Sequence, residues 1–465
     1  MVAKSESGSN VDLDELAALS QLTSLHIFVP NNLDLPPNFL SSQKLTNFIL
    51  IKDVNPFTQY KSSFEKYLSE ELYSSSNMEI SLTNIAMIYD KFRDLVKRIE
   101  RLTLKYIVDL ESISQDLTEE GLNELKYLNF KRCDEISYLF NARELTRNST
   151  FHNLEELHLI ENYYLIALCN GKPSAKSFCK LKALEVKGCE RLLNIAPSHL
   201  LQRFRNLQTL RVEQCRSLVY IFDCEKIKIE KGETKLLSSL EYLDLVYLKE
   251  MSHIWKGDHQ SISLHNLKRV YLEACSKLIK LFSATILQSL ICLEEVRIRD
   301  CYNLKEIFEK KEAEDVELDH TITSLCLGNL TSLEVSFCYN LEILFTPSIA
   351  KLLVELRELK VMYCHGIREI ITNEKGEKET SLESITFPSL EDLELSDLNK
   401  LTCFSSGSYT IEFPKLKFLN ISRCGNMKTF CSGKLVIPKV KKVCLEGTTQ
   451  EMGLQEKLCQ VVKVV

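Results

Sequence analysis

The chain has 465 residues, 45 % of them hydrophobic, and its 58 basic and 64 acidic side chains leave a formal charge of −6. That length exceeds what one globular core fills, so several domains or one extended repeat array is expected. The mild charge supplies no global basic field for nucleic acid or an anionic membrane surface.

Residues 1–10 are polar and read as a disordered tail, and the opening MVAKSESGSNVDLDEL contains no apolar core of a secretory leader. Nowhere do about eighteen apolar residues follow one another, so no membrane span is expected. Both observations point to the cytoplasm, where thiols stay reduced. From 11 to 120 a loose apolar frame is visible in LTSLHI (22–27), LTNFIL (45–50) and RLTL (101–104). Between these, the stretch 53–93 has the least strand character and is expected to hold an irregular or helical insertion.

From 121 to 449 the frame becomes regular: L-x-x-L-x-L-x-x-C, with apolar residues at offsets 0, 3 and 5 and a special position at offset 8. It starts at Leu125, Leu154, Leu181, Leu207, Leu240, Leu267, Leu293, Leu330, Leu356, Leu390, Leu416 and, degenerately, Val440. Offset 8 is Cys133, Cys189, Cys215, Cys275, Cys301, Cys338, Cys364 and Cys424, with Asn162, Leu248, Leu398 and Thr448 as exceptions. This is the leucine-rich-repeat signature. The expected fold is an α/β solenoid: a curved arc with a parallel sheet on its concave face and irregular or short helical segments on the convex one. Residues 450–465 are expected to form a terminal cap.

Each repeat alternates over its strand, as in Leu210-Arg211-Val212, so one face is aliphatic and the other polar. A single coil cannot hide its apolar residues, but stacked copies can. At offset 8 the chain turns across the core, where an Asn amide satisfies turn backbone and a Cys fills the same slot as a small hydrophobe with a weak donor. The 17 cysteines are an odd number, and eight share one repeat position, which favours buried free thiols over disulfides. Apolar residues at offsets 11 and 14 and an aromatic at 15, as in Leu218, Ile221 and Phe222, read as a spine packed behind the sheet. Charged inserts at 224–235, 309–320 and 372–380, the first and last with a glycine, read as solvated excursions, with partner contact as the sharper alternative.

Catalytic constellations are missing from the sequence. There is no G-x-x-x-x-G-K-[ST], G-x-G-x-x-G, H-E-x-x-H or G-x-S-x-G, and no C-x-x-C to begin a zinc or redox site. Cys364-His365-Gly366 is an ordinary offset-8 residue with an exposed neighbour in this frame. No enzymatic activity, cofactor or metal is expected. The candidate functional surface is the outward strand face, with structural cysteines beneath it. There Arg269, Tyr271, Arg297 and Arg299 fall on two adjacent repeats, and Arg211, Glu334 and Lys360 extend the row. Tyr and Arg are favoured interface anchors.

Several phrases make the resemblance more specific: LQTLRVEQCRSLVYIF, LEEVRIRDCYNLKEIF, MSHIWKG (251–257), LEDLELSDLNKLTCF (390–404) and FPKLKFLNISRC (413–424). From about residue 12 onward the chain resembles the leucine-rich-repeat region of plant nucleotide-binding leucine-rich-repeat disease resistance proteins of the coiled-coil class. That resemblance implies a recognition arc that senses pathogen effectors or altered host proteins and restrains a nucleotide-binding switch. The switch motifs have no counterpart here, so ATP or ADP binding is not carried over. The expectation is a fragment or shortened relative, with an effector, a guarded host protein or a receptor nucleotide-binding domain as partner. The alternative is a substrate adaptor of an F-box-type ubiquitin ligase, which requires a helical module of about forty residues near Asp34-Leu35-Pro36-Pro37.

Overall fold

A computed structural model describes residues 21–29, 47–52, 77–81, 99–105, 122–142, 151–225, 235–309, 326–372 and 384–446, apart from isolated positions. The tail 1–10, the cap 450–465, most of 53–93 and nearly all of the three charged inserts lie outside the described residues. One strand falls within 53–93, at Asn77–Ser81. The chain divides into two compact units, Met1–Leu207 and Gln208–Val465.

In the first unit the strands are β1 (Ser24–Val29), β2 (Asn47–Lys52), β3 (Asn77–Ser81), β4 (Arg101–Lys105), β5 (Tyr127–Lys131), β6 (Tyr138–Asn141), β7 (Glu156–Ile160), β8 (Ala167–Asn170), β9 (Ala183–Lys187) and β10 (Asn194–Ala196). Strands β1-β2-β3-β4-β5-β7-β9 pair in parallel, and β6 pairs with β8 behind them. Only 17 residues (30–46) separate β1 from β2, too few for the forty-residue helical module that an F-box would need between them.

The second unit repeats the design. Its strands are β11 (Thr209–Glu213), β12 (Tyr220–Asp223), β13 (Tyr242–Val246), β14 (His253–Lys256), β15 (Arg269–Glu273), β16 (Lys280–Phe282), β17 (Glu295–Arg299), β18 (Glu306–Phe308) and β19 (Ser332–Ser336). They continue as β20 (Glu358–Met362), β21 (Glu369–Ile371), β22 (Ser384–Thr386), β23 (Asp392–Ser396), β24 (Cys403–Ser405), β25 (Thr410–Glu412), β26 (Phe418–Ser422), β27 (Leu435–Val436) and β28 (Lys442–Glu446). The main sheet is β11-β13-β15-β17-β19-β20-β23-β26-β28, all parallel. Each main strand covers offsets 2 to 6 of its repeat, as the alternating pattern predicts.

Register explains why the stack holds. Leu210, Leu243, Val270, Val296, Leu333, Leu359, Leu393 and Leu419 form one buried column, each beside the next. Val212, Leu245, Leu272, Ile298, Val335, Val361, Leu395 and Ile421 form a second. A one-residue slip would turn both columns to solvent, so register is strongly fixed. Behind the sheet the expected spine is present: Leu218, Leu278, Leu304 and Leu341 are fully buried, and rings stack between repeats. Phe222 lies 5.3 Å from Trp255, and Phe308 lies 6.0 Å from Phe282 and 6.5 Å from Phe345.

Offsets 13 to 16 also form short strands, such as β12 with β14 and β16 with β18, so strand predominates more than the sequence suggests. Helix among the described residues is limited to α1 (Ser198–Leu201), α2 (Ala284–Leu287) and α3 (Pro347–Ala350). The last two are capped by Ser283 and Thr346, whose hydroxyls accept from the amides of Ile286 and Ile349. Thus short helical segments do lie opposite the sheet, as expected, but in few repeats.

All eight offset-8 cysteines are fully buried and none is bridged. Several of their Sγ atoms donate to carbonyls of the preceding coil, as Cys189 does to Leu159 at 3.6 Å, Cys275 to Leu245 at 3.5 Å and Cys424 to Leu395 at 3.6 Å, while Cys215, Cys301 and Cys338 donate to carbonyls of their own strands. Hydrogen bonding to Cys301 and burial push the Cys275 thiol well up, and burial pushes Cys424 up to about 11. Among the described cysteines, alkylation of the native chain is therefore expected to modify the half-buried Cys179, Cys292 and Cys444 first. Cys431, half-buried but pushed up to about 11 by burial, follows more slowly. Peptide mass spectrometry after brief iodoacetamide treatment checks this, and early labelling at offset 8 would contradict it.

Candidate functional site

The outward residues of the main strands stand in three rows, at offsets 2, 4 and 6, because successive side chains of a strand point to opposite faces. In the second unit the middle row places Arg211 beside Asp244, Tyr271, Arg297, Glu334, Lys360, Glu394 and Asn420 in turn. The sequence-selected Arg211, Tyr271, Arg297, Glu334 and Lys360 thus share one row. Arg269 lies in the first row and Arg299 in the third, one residue pair away on β15 and β17.

The cations are not bare. Arg269 donates to both carboxylate oxygens of Asp244, at 3.1 and 3.0 Å, and its guanidinium lies 5.4 Å from the Tyr242 ring centre. Arg297 approaches Glu295 at 2.5 Å and Glu334 at 3.8 Å, and Arg299 approaches Asp300 at 3.4 Å. Their side chains nevertheless stay 53 % and 57 % exposed, so surface screening keeps these pairs weak. Burial, and a hydrogen bond donated to Glu273, push the Tyr271 phenol up to about 12, so it stays protonated.

Toward the C-terminal side of the unit the face turns acidic. Across β17, β19, β20 and β23 the three rows contain Glu295, Glu334, Glu358, Asp392 and Glu394 against Arg297, Arg299 and Lys360. Lys360 meets Glu358 at 2.5 Å, and this hydrogen bond lowers the Glu358 carboxyl and raises the Lys360 amine. Among the described residues, Glu394 accepts from Asn420, at 3.2 Å, and Ser396, at 3.4 Å. Burial and then the nearby Glu358 charge push the Asp392 carboxyl up.

A feature that sequence reading missed begins where the strands end. At offset 7 the backbone is left-handed in every described regular repeat, from Arg132 (φ 53°) to Arg423 (φ 52°), and only Gly188 among these residues is glycine. The offset-7 amide donates to the offset-6 carbonyl of the next coil, as Tyr363 does to Ser396 at 2.9 Å and Asp397 to Ser422 at 3.0 Å, which offsets a conformational cost of about 1–3 kcal/mol. Three bulky rings occupy this strained position, Tyr247, Phe337 and Tyr363, and the last two stack at 4.5 Å. Arg299 sits over Phe337 at 5.7 Å, and Arg423 donates to the Tyr363 hydroxyl at 3.3 Å. Beside them Tyr302, Tyr339 and His365 stack at 5.2 and 5.3 Å, with both tyrosines exposed. His365 is thus a half-buried member of a ring stack and not the exposed neighbour that the repeat frame suggested. The signal was present as aromatics at offsets 7 and 9 of consecutive repeats.

Among the described residues no group of His, Cys, Asp and Glu is placed to hold a metal ion, and no helix is long and apolar enough to cross a membrane. The sequence-selected side chains form a polar and aromatic face on the main sheet of the second unit.

Comparison with known proteins agrees with this architecture. Residues 153–302 and 302–435 match the family described as plant disease resistance protein RPS2-like, leucine-rich repeats. "Probable disease resistance protein At4g27220" of Arabidopsis thaliana is 24 % identical over 272 residues, which are 57 % of this chain and 28 % of that protein. The aligned part thus spans little more than a quarter of the relative's length. Among solved structures, the leucine-rich repeat domain of the type III effector XopL is 14 % identical, with 68 % of this chain and 80 % of that one covered at a TM-score of 0.34. A TLR13–ssRNA13 complex is also 14 % identical, with 92 % and 84 % covered at a TM-score of 0.17. Neither superimposes well enough to assign anything to this chain. The two family matches together run from 153 to 435, more than half of the chain, which belongs to the RPS2-like leucine-rich-repeat family of plant disease resistance proteins.

Proposed function

We propose that this chain is a non-catalytic protein-recognition module of plant immunity that acts in the cytoplasm. It senses a pathogen effector, or a host protein that an effector alters, and contacts a nucleotide-binding domain of receptor type as a further partner. The reading rests on family membership and on one structural observation: the aliphatic columns stay constant under the second unit's main sheet while the outward residues change from strand to strand. Arg269, Tyr271, Arg297 and Arg299 are adjacent there and accessible. An interface covering them would desolvate ion pairs that are weak in water, which rewards a partner with complementary groups and penalises one without. Because the aligned part is 28 % of the curated relative, a larger receptor is the natural setting of this module.

Proximity labelling in plant tissue, with and without pathogen challenge, identifies the partner. The double reversal Arg297→Glu/Arg299→Glu is then expected to weaken its binding by about 2 kcal/mol or more, roughly thirtyfold. Surface plasmon resonance measures the change, and unaltered affinity would remove this cluster from the interface.

A further inference from the structure

The rows on β17, β19, β20 and β23 and the ring ledge at their ends are contiguous, because Arg299 of the third row covers the Phe337 ring and Asp300 accepts from the Tyr302 hydroxyl at 3.4 Å. Read from strand start to strand end, this surface is acidic, then mixed, then has the half-buried Met362 between the buried Ser336 and Ser396 with Arg299 at one end, and finishes on the rings of Phe337, Tyr363, Tyr302 and Tyr339 beside Asp300 and Asp397. Five carboxylates face three cations in the rows, and all three cations already pair with neighbouring carboxylates. The anionic excess therefore collects at Asp392 and Glu394, which Lys360 and, for Asp392, Lys417 influence only from beyond ion-pair distance.

Two observations identify what covers such a face. Its excess charge is negative, which repels nucleic acid and anionic lipid and attracts a basic group. Its apolar strip, Tyr302, Phe337, Tyr339, Met362 and Tyr363, runs across the ends of β17, β19 and β20, and a strand spacing of about 4.8 Å matches the rise of about 4.5 Å between residues i and i+3 of an α-helix. A helix lying across the sheet keeps one side chain over each strand, and four strands span about 14 Å, or roughly ten helical residues. Half-buried rings on strained backbone, Phe337 and Tyr363, beside the exposed Tyr302 and Tyr339 suit an anchor for apolar side chains.

We propose that the second unit seats an amphipathic helix of a partner protein across β17 to β23, its apolar stripe on Met362, Phe337 and Tyr363 and a flanking Lys or Arg against Asp392 and Glu394. This rests on the recognition function proposed above and names the partner's local structure and polarity. The helix runs along the rows, and its basic flank lies on the strand-start side, which fixes its rotation about its own axis.

The test is a selection on the full chain with a displayed library of amphipathic helices whose apolar face is constant and whose flanks are randomised. Wild type is expected to enrich helices with Lys or Arg on one flank, and Asp392→Lys/Glu394→Lys to enrich Asp or Glu at the same flank. A selected basic helix should bind Asp392→Lys/Glu394→Lys at least tenfold more weakly, and Met362→Glu should weaken basic and acidic helices alike. Circular dichroism confirms that each variant is folded. No enrichment, or an unchanged flank in the charge-swapped variant, overturns the proposal. A plant partner lost on Arg297→Glu/Arg299→Glu but unaffected by Asp392→Lys/Glu394→Lys and by Met362→Glu would also overturn it, while leaving the recognition function standing.

Discussion

Phe404→Ala is expected to destabilise the second unit by about 3–5 kcal/mol, the range for deleting a buried aromatic ring. Phe404 is fully buried and touches three other rings: Phe430 at 5.0 Å, stacked, and Phe413 at 5.6 Å and Phe387 at 6.2 Å, both edge to face. Phe387 and Phe413 are themselves 5.3 Å apart and Phe413 lies 6.1 Å from Phe430, so the four rings knit the repeats that begin at Leu390 and Leu416. Truncating the ring at the centre removes its burial, leaves a void among rigid neighbours and breaks aromatic contacts worth about 0.5–1.5 kcal/mol each beyond burial. A repeat array opens locally before it opens globally, so amide exchange should accelerate most in β23, β24 and β26. Phe404→Leu should cost less than half as much. Equal exchange in wild type and Phe404→Ala would show that the ring cluster is not what holds these coils.

Asn162→Ala should cost the first unit about 2–5 kcal/mol, from two unpaired buried backbone groups and a small void. Asn162 is fully buried, and its two amide atoms serve the preceding coil: Oδ1 accepts from the Cys133 amide at 3.0 Å, and Nδ2 donates to the Phe130 carbonyl at 3.0 Å. One coil on, Cys189 donates its Sγ to the equivalent offset-5 carbonyl, that of Leu159, at 3.6 Å. Asn162→Cys should therefore retain part of the stabilisation, because a thiol restores the donor though little of the acceptor. Urea unfolding with amide exchange read at β5 and β7 separates the two variants. A ranking with Cys no better than Ala would refute the equivalence of the two side chains in this slot.

Much of this was legible in residue order, for a definite reason. Burial in a solenoid is set by local periodicity repeated many times, so a Leu at offset 3 or 5 must face inward if any repeat does. The buried columns, the offset-8 cysteines, and the spine at Leu218, Ile221 and Phe222 all follow from that frame, and each is buried in the structure. The placement of Arg211, Tyr271, Arg297, Glu334 and Lys360 in one row follows too, since in-register parallel strands align equal offsets.

Tertiary structure alone decided what surrounds those residues. The left-handed turn at offset 7 is written into no residue type, since Arg132, Ala274, Asp300 and Phe337 all adopt it; the hydrogen bonds of neighbouring coils impose it. That turn aims Phe337 and Tyr363 at each other, and it sets Tyr302, Tyr339 and His365 in a stack. Sequence likewise counts charges without pairing them, so Arg269, read as an interface anchor, proves to be held by Asp244, whereas Asp392 and Glu394 lie beyond ion-pair distance of every described cation. Inward-facing chemistry was thus determined by the order of residues, because periodicity controls burial. Outward-facing chemistry was decided by the stack, because contacts on an exposed face depend on turns and on side chains roughly one coil away.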